Sequence, residues 1–472
     1  MKLFFLTLLL TLILCSACQI EEEETTRPNI LLMVADDMGY ADLGSYGGKS
    51  NTPNLYALAE RGIRFTNFYA ASSNCSPSRA GLMTGKSPAK VGMYNYRPPG
   101  HPLHLRSEEV TIAEVVKSKG YQTAHIGKWH LGCLPQDSSL NHPQPHEQGF
   151  DYSLGTENNA QPSHLNPVNF VRNGIKLGEQ QGYSCQLLAD EAIGWFENQQ
   201  APDAPFFMYM AFHEPHAKVA SPPELVAKYA NYSEKDAEYL ANIENLDLAV
   251  GRVLDYLEGN RMMENTLIIF SSDNGSYRTA SNGPLKAVKS YVYDGGIRVP
   301  CIVYWSALAN QPSEMEEATG FVDVMPTIQE LVDAEVNENL DGTSILGLLK
   351  GEAFEREKPL YWYFYRTSPE MAMRLSDMMI LGKDYDSIPR THRFAAADMG
   401  YIRQMDFNEY ELYDLSEDVG QTKNLITNHP QAEAYQTLID EKLEEIQEES
   451  YIWKNLPEAK GTKRIKTDWV KY

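Results

Sequence analysis

Short, almost wholly apolar runs recur along this chain, and each gives way abruptly to residues that carry charge or a metal-ligating atom. Pro28 to Ala35 ends in Asp36-Asp37, and Tyr121 to Ile126 leads into Gly127-Lys-Trp-His130. Phe206 to Phe212 delivers His213-Glu-Pro-His216, and Thr266 to Ser271 is followed closely by Asp273-Asn274. Runs of this length without polar alternation suit strands buried on both faces, as in parallel sheets. Helix signatures stand between them. Thr52 is placed to cap, Pro53 fits a first helical position, Leu55, Leu58 and Ala59 share a face, and Gly62 stops the element. Thr111-Ile-Ala-Glu114 is a capping box for a helix that stops at Gly120, and Tyr183 to Gln199, Ser233 to Gly259 and Asp323 to Val332 read as further helices. This alternation predicts an α/β fold, with a large mixed, mostly parallel sheet sandwiched by helices. In such sheets ligands sit beyond the carboxyl ends of the strands, which is where the polar clusters fall.

One further junction concentrates chemistry. A strand-like run from Phe65 to Ala71 passes into Asn74-Cys-Ser-Pro-Ser-Arg-Ala-Gly-Leu-Met-Thr-Gly85. Cys75, Pro77 and Ser78 fall at a helix start, where unpaired backbone N–H groups favour an anion. Arg79, a permanent cation, follows one turn on. An isolated free cysteine is usually a small hydrophobe; this setting makes Cys75 a candidate nucleophile packed against an anion cradle. Asp36, Asp37, Asp273 and Asn274 are each ordinary turn residues, but together they supply oxygens suited to calcium or magnesium. No cysteine or histidine spacing suggests structural zinc. Arg79, Lys128, His130, His216 and Lys289 form a cationic set, with His213 equally readable as a wall residue or a catalyst. One metal and several cations around a nucleophile suit hydrolysis of a sulfate or phosphate ester, with histidines moving protons. Residue types alone do not separate the two esters.

The 472 residues, 43% of them hydrophobic, allow one large core and a smaller one. A formal net charge of -23 disfavours nucleic acid as a partner and demands locally concentrated positive charge for any anionic substrate. Met1 to Cys18 reads as a leader: Lys2, an apolar run from Leu3 to Leu14, then Cys15-Ser-Ala-Cys18, too short to span a bilayer comfortably. Its ending resembles a bacterial lipoprotein signal, with residues 1–17 removed and Cys18 lipidated, although Cys15 stands where leucine is commoner. Residues 18–27, with Glu21 to Glu24, then form an acidic tether. The expected location is the periplasm or the outer membrane and cell surface, with membrane contact only through the lipid; secretion after plain signal cleavage is the alternative. Cys75, Cys133, Cys185 and Cys301 are too sparse for a disulfide scaffold, and at most one disulfide is expected among the last three. The Pro-, Asn-, Gln- and His-rich segment from Cys133 to Gly182 is expected to hold short elements and form a pocket wall. Residues 28–357 read as the catalytic domain. Residues 358–472 read as a smaller subdomain, with an antiparallel sheet (Tyr361 to Tyr365, Met373 to Leu381, Tyr410 to Leu412), a helix from Gln431 to Glu448 and a Lys-rich tail after Pro457.

Cys75-Ser-Pro-Ser-Arg79 and its continuation to Gly85 resemble the signature of the formylglycine-dependent sulfatases, whose architecture is alkaline-phosphatase-like. Further stretches similar to that family follow in order: Asn29 to Gly39, Gly127 to Gly132, Phe207 to His216, Ser272 to Gly275, Asn282 to Pro300, and Glu411 to Leu415 with Asn424-Leu425. The resemblance covers nearly all of the mature chain. It implies that a formylglycine-generating maturation enzyme oxidises Cys75 to the aldehyde 3-oxoalanine, which hydrates to a geminal diol. It implies one calcium ion held by Asp36, Asp37, Asp273, Asn274 and the modified residue 75. It also implies that Asp273 helps activate one hydroxyl, Arg79 orients it, Lys128 neutralises sulfate, and His216 and Lys289 serve the leaving oxygen. His130 would take the proton of the second hydroxyl, so that the aldehyde re-forms and sulfate departs. Asp294 stands where glutamate is usual, and Lys286 where arginine is common, so the catalytic lysine is assigned to Lys289. Glu157 to Arg172 resembles the equivalent stretch of bacterial carbohydrate sulfatases, some of which act on galactose or N-acetylgalactosamine sulfates. There Asn158, Asn159, His164, Arg172 and His213 would contact sugar hydroxyls or merely hold the loop. An exo-acting enzyme on a sulfated carbohydrate is the expected function. The alternatives are a phosphomonoesterase or phosphodiesterase of the same superfamily, and a non-catalytic glycan-binding lipoprotein.

Overall fold

In a computed structural model, described residues run from 27 to 454 with Leu456, apart from 136–138, 200, 202, 309–313, 336–338, 366–368, 385–393 and 395. The leader with Cys18, most of the acidic tether and the Lys-rich tail lie outside the described residues. The apolar runs are strands: β1 (Asn29–Asp36), β2 (Ile63–Phe65), β3 (Phe68–Tyr69), β4 (Gln122–Lys128), β5 (Tyr152–Thr156), β6 (Phe170–Arg172) and β7 (Ile175–Gly178). They continue as β8 (Phe206–Pro215), β9 (Thr266–Ser272), β10 (Cys301–Tyr304), β11 (Glu314–Met315) and β12 (Thr319–Gly320). Ten of them form one sheet in the order β11-β2-β10-β9-β1-β8-β4-β5-β6-β7. The central run from β9 to β5 is parallel throughout. Antiparallel pairs occur towards both edges, where β10 meets β9 and β2, and where β6 meets β5 and β7.

Helices cover both faces: α1 (Pro53–Arg61), α2 (Cys75–Thr84), α3 (Ile112–Ser118), α4 (Ser184–Glu197), α5 (Glu234–Gly259), α6 (Val324–Leu331) and α7 (Ala432–Glu449). The period-two alternation of β1 shows why its sequence is apolar throughout. Ile30, Leu32 and Val34 pack in one cluster with Leu82, Met83, Ile112, Val116 and Ile328, which lie on α2, α3 and α6. Leu31, Met33 and Ala35 pack in another with Leu55, Leu58, Leu188, Leu246 and Val250, on α1, α4 and α5. A second, antiparallel sheet follows: β13 (Leu360–Tyr365), β14 (Pro369–Leu375), β15 (Met378–Lys383) and β16 (Glu409–Asp414), in sequence order. Ile439, Leu443 and Ile446 of α7 belong to the same packed cluster as Met371, Ile380 and Leu412 of that sheet. Trp362 Nε1 donates to the Ala70 carbonyl at 2.7 Å, which ties β13 to the segment just before Cys75.

Three local expectations are modified. The run from Phe65 to Ala71 is broken between β2 and β3, because the chain leaves the large sheet there and pairs with β12 instead. Thr52 does not cap α1; its Oγ1 accepts from Gly44 N at 2.9 Å. Asp247 of α5 takes that place and accepts from Asn54 N at 3.1 Å and Leu55 N at 2.8 Å, a cap supplied from almost two hundred residues away. The long segment after Cys133 carries β5, β6 and β7 and so builds one whole edge of the sheet. The predicted capping box of Thr111 and Glu114 is present. Cys75, Cys133, Cys185 and Cys301 are all free and buried.

His125 of β4 is enclosed by Trp129, Phe150 and Tyr209, with ring centroids 5.1, 5.6 and 5.6 Å away. Burial pushes its pKa from 6.5 down to about 3. Between those values the unfolded chain binds a proton that the folded chain refuses, so this residue makes stability fall as pH drops below 6.5. The slope is about 1.4 kcal/mol per pH unit. His125→Phe should therefore show a shallower loss of melting temperature than the parent protein when both are titrated from neutral pH into this window.

Candidate active site

The parallel strands present their carboxyl ends at one rim of the sheet, and the charged clusters gather there. Asp36 closes β1, and Asp37 follows it with a left-handed backbone, φ 62°. Asp273 comes directly after β9 and is locked to β1 in both directions. Its N–H donates to Ala35 O at 3.0 Å, and its Oδ1 accepts from Asp37 N at 3.1 Å. Cys75 opens α2, next to Asn74, whose side-chain amide donates to Ser290 Oγ at 2.7 Å.

Ligating atoms of Asp36, Asp37, Asp273 and Cys75 all lie within 4.8 Å of one another. Asn274 Nδ2 donates to Asp37 Oδ1 at 2.7 Å. That leaves Asn274 Oδ1 buried with no hydrogen-bond partner among the described residues, and Asp36 Oδ1 is in the same position. Buried polar atoms are ordinarily satisfied. Two orphaned oxygens beside three carboxylates are the donor set of a hard divalent cation, and they fit calcium.

The cations interleave with these acids. Arg79 is fully buried; its Nε and Nη2 reach Asp273 Oδ2 at 2.9 and 2.7 Å, and Nη1 reaches Lys128 O and Tyr209 Oη, both at 3.2 Å. Lys128 Nζ donates to Asp36 Oδ2 at 2.7 Å and to Asn159 Oδ1 at 3.0 Å. Lys289 Nζ donates to Asp37 Oδ1 and lies 3.1 Å from Cys75 Sγ. His216 Nε2 is 3.5 Å from Asp37 Oδ2, and His130 Nε2 is 2.8 Å from the Arg97 carbonyl.

Burial dominates the proton equilibria. It pushes the Cys75 thiol up to about 12 in spite of Lys128 and Lys289, so the unmodified side chain is a neutral thiol and a poor nucleophile. Burial, reinforced by Asp36 and Asp37, raises Asp273 to about 7 against the pull of Arg79 and Lys128. Burial also opposes ionisation of Asp36, but Lys128, His216 and Arg79 together hold its carboxyl well below the ordinary range. Burial and then Lys128 keep His130 neutral far below its usual titration. His216 is likewise lowered by burial, with Asp37 working in the other direction. A cavity of about 420 Å³ opens onto Cys75, Lys289, His130, His216, Asn158 and Asn159.

Residues 28–334 match the family model for sulfatases, and residues 287–449 match that for the C-terminal part of N-sulphoglucosamine sulphohydrolase. Human arylsulfatase A is 33% identical over 433 residues, which cover 84% of this chain and 83% of that protein. This chain belongs to the formylglycine-dependent sulfatase family. Canine N-acetylgalactosamine-6-sulfatase is 32% identical over 370 residues, covering 71% of the chain and 68% of that enzyme. The crystal structure of Ps i-CgsB in complex with k-i-k-neocarrahexaose superposes with a TM-score of 0.76 at 27% identity, covering 90% of this chain and 94% of that one. The protein is thus a sulfatase-type hydrolase with the alkaline-phosphatase-like architecture.

In this sulfatase the structure brings Asp36, Asp37, Cys75, Arg79, Lys128, His130, His216, Asp273, Asn274 and Lys289 together. Lys289 rather than Lys286 reaches Cys75; Lys286 Nζ donates to Tyr413 Oη at 2.9 Å, between the Tyr293 and Tyr413 rings. Asn158 and Asn159 line the cavity, but Asn159 also spends its amide on the protein, between Lys128 and His216 Nδ1 at 2.8 Å. The other expected sugar contacts lie elsewhere. His213 is fully buried, with its ring nitrogens 2.7 Å from Ser184 Oγ and 2.8 Å from Thr156 Oγ1. His164 is fully buried behind it, with Nδ1 3.2 Å from Asn242 Nδ2. Arg172 faces away from the cavity on β6 and clasps Glu191 at 2.7 and 2.6 Å. Tyr96 and Tyr277 line the cavity although no motif contains them, and Asn74 and Ser290 do so although the motifs that contain them assigned them no role. Position beside Cys75 and Lys289 was the available signal for Asn74 and Ser290; the two tyrosines carried none.

Excess calcium should raise the melting temperature and a chelator should lower it. The stabilisation expected at a hundred times Kd is about 2.7 kcal/mol. Asn274→Ala should shrink that calcium-dependent shift, measured by thermal unfolding with and without the ion.

Proposed function

We propose that this sulfatase removes sulfate exolytically from a sulfated carbohydrate of the galactose or N-acetylgalactosamine type, using residue 75 as formylglycine beside one calcium ion. The observation that carries the proposal is the placement of Cys75. Its thiol is held protonated by burial, yet it sits on the floor of a cavity, 3.1 Å from an ammonium and beside a hard-cation donor set. A neutral thiol there does little; a hydrated aldehyde there has every partner it needs. The cavity volume lies near the lower end of small-ligand sites, about 300–1,000 Å³, which favours one sugar end over a polymer midsection. Canine N-acetylgalactosamine-6-sulfatase by its name, and Ps i-CgsB by its bound neocarrahexaose, support a carbohydrate substrate.

Asp36, Asp37, Asp273, Asn274 and residue 75 would hold the calcium, which supplies positive charge beside the sulfate oxygens. When formed and hydrated, formylglycine supplies one hydroxyl to attack sulfur and a second whose deprotonation releases sulfate. The remaining work falls to side chains on the page. Lys128 Nζ, held by Asp36 and Asn159, presents an N–H to a sulfate oxygen. Because an ammonium only donates, it orients the Asn159 amide with Oδ1 towards Lys128 and Nδ2 towards His216. His216 Nε2 and Lys289 Nζ provide protons for the departing sugar oxygen. His130 donates Nε2–H to Arg97 O, so its neutral ring keeps Nδ1 as the acceptor.

No helix among the described residues is long and apolar enough to cross a membrane. On the leader sequence we propose attachment through lipidated Cys18 in the periplasm or at the cell surface, with secretion after signal cleavage as the alternative.

Mass spectrometry of the peptide spanning residue 75, from protein produced with a formylglycine-generating enzyme, should show the thiol converted to an aldehyde. That sample should release sulfate from sulfated galactosides, and Cys75→Ala should not. Robust ester hydrolysis by protein carrying unmodified Cys75 would overturn the proposal. Lys289→Ala should lower kcat by about a hundredfold or more, whereas Lys286→Ala should leave it close to the parent value in the same assay.

A further inference from the structure

Arg97 has no place in the reaction as described, yet it is one of the largest fully buried side chains. Every group it carries is engaged. Its Nε donates to Leu103 O at 2.7 Å, Nη1 to Glu157 Oε1 at 2.5 Å, and Nη2 to Cys133 Sγ at 2.8 Å. Its backbone joins two catalytic elements. The N–H donates to Oγ of Ser76, the neighbour of Cys75 on α2, at 2.9 Å. The carbonyl accepts from His130 Nε2 at 2.8 Å. Glu157 closes the loop from the other side: its carbonyl accepts from His130 N at 3.0 Å, and its Oε1 also accepts from Gly100 N at 2.9 Å. His130 itself has a left-handed backbone, φ 55°, which a non-glycine residue keeps only when its surroundings hold it.

We propose that Arg97, locked by its ion pair with Glu157, is the positioning residue that fixes His130 relative to residue 75. Resting on the sulfatase mechanism above, this inference assigns the frame to one step, the release of sulfate. A carbonyl acceptor on Nε2 forces the tautomer in which Nδ1 bears the lone pair, and Nδ1 has no hydrogen-bond partner among the described residues. In the step served, Nδ1 accepts the proton of the hydroxyl remaining on sulfated residue 75. The electrons of that O–H bond become the second bond of the aldehyde carbonyl. The bond from the same carbon to the sulfate oxygen breaks, and sulfate leaves with the electron pair. Formation of the sulfated residue, by contrast, uses Asp273, His216 and Lys289, none of which touches Arg97.

Arg97→Lys keeps the charge but loses the fork, and Glu157→Gln, at a side chain 22% exposed, loosens the same frame with less risk to folding. The experiment compares both with the parent and with His130→Ala, all carrying the aldehyde, on 4-nitrophenyl sulfate. Expected are a kcat lowered about ten- to a hundredfold, an unchanged first-turnover burst of one nitrophenol per active site, and a residue-75 peptide that retains sulfate in the quenched enzyme. Melting temperatures near the parent's would show that the fold persists. If His130→Ala traps sulfate but Arg97→Lys and Glu157→Gln do not, the positioning role is overturned while the sulfatase mechanism stands. Loss of the burst in the two frame variants would overturn it too, since the defect would then precede sulfate release. If even His130→Ala traps nothing, the assignment of His130 fails, and this proposal fails with it.

Discussion

A guanidinium, two ammoniums and three carboxylates share the rim of the central sheet, and the arrangement survives only because each charge is neutralised locally. Arg79 and Lys128 have no exposure, nor do Asp36 and Asp273, so removing one partner would leave another stranded in a medium that tolerates lone charges poorly. Their mutual pairing is incomplete, however. Asp36 Oδ1 and Asn274 Oδ1 have no hydrogen-bond partner among the described residues, and burial, reinforced by Asp36 and Asp37, lifts Asp273 towards neutrality. The protein alone therefore leaves two oxygens of this rim unmatched. A bound divalent cation would complete it, which makes ligand binding and charge compensation a single event.

The architecture puts that rim within reach of many parts of the chain. Parallel strands align their carboxyl ends, so β1, β4, β8 and β9 each contribute a polar tail to one spot while their apolar bodies hold the core. The C-terminal sheet serves the same end from outside the large sheet. Trp362 grips the backbone at Ala70, and Tyr413 and Tyr293 enclose Lys286 and keep it away from the cavity.

Much of this was legible in the residues because the signals are local. A buried strand in a parallel sheet must be apolar along its body, so Asp36-Asp37 or Lys128, though buried themselves, mark where the apolar run ends. The capping box at Thr111 is readable for the same reason. What could not be read is whatever depends on register or on distant partners. Asp247 caps α1 from another helix. Leu154 opposes Arg172 across the β5–β6 pair, and Arg172 is held there by Glu191, a partner nineteen residues on that no motif announced. His213 and His216 are three residues apart, yet one is sealed against Phe170 and the other opens onto the cavity. Arg97 lay in no motif, because its value comes from a backbone carbonyl, an atom every residue has.

Cys75 is only 3% exposed, at the foot of a cavity whose walls come from eight separate stretches of sequence. The folded protein offers another enzyme little access to a thiol so placed. If residue 75 is oxidised as proposed, that step belongs to the interval in which the chain has been made but the sheet has not yet closed over it. On that proposal the speed of folding would set the fraction of molecules that become competent, and a variant that folded faster would be more stable and less active at once.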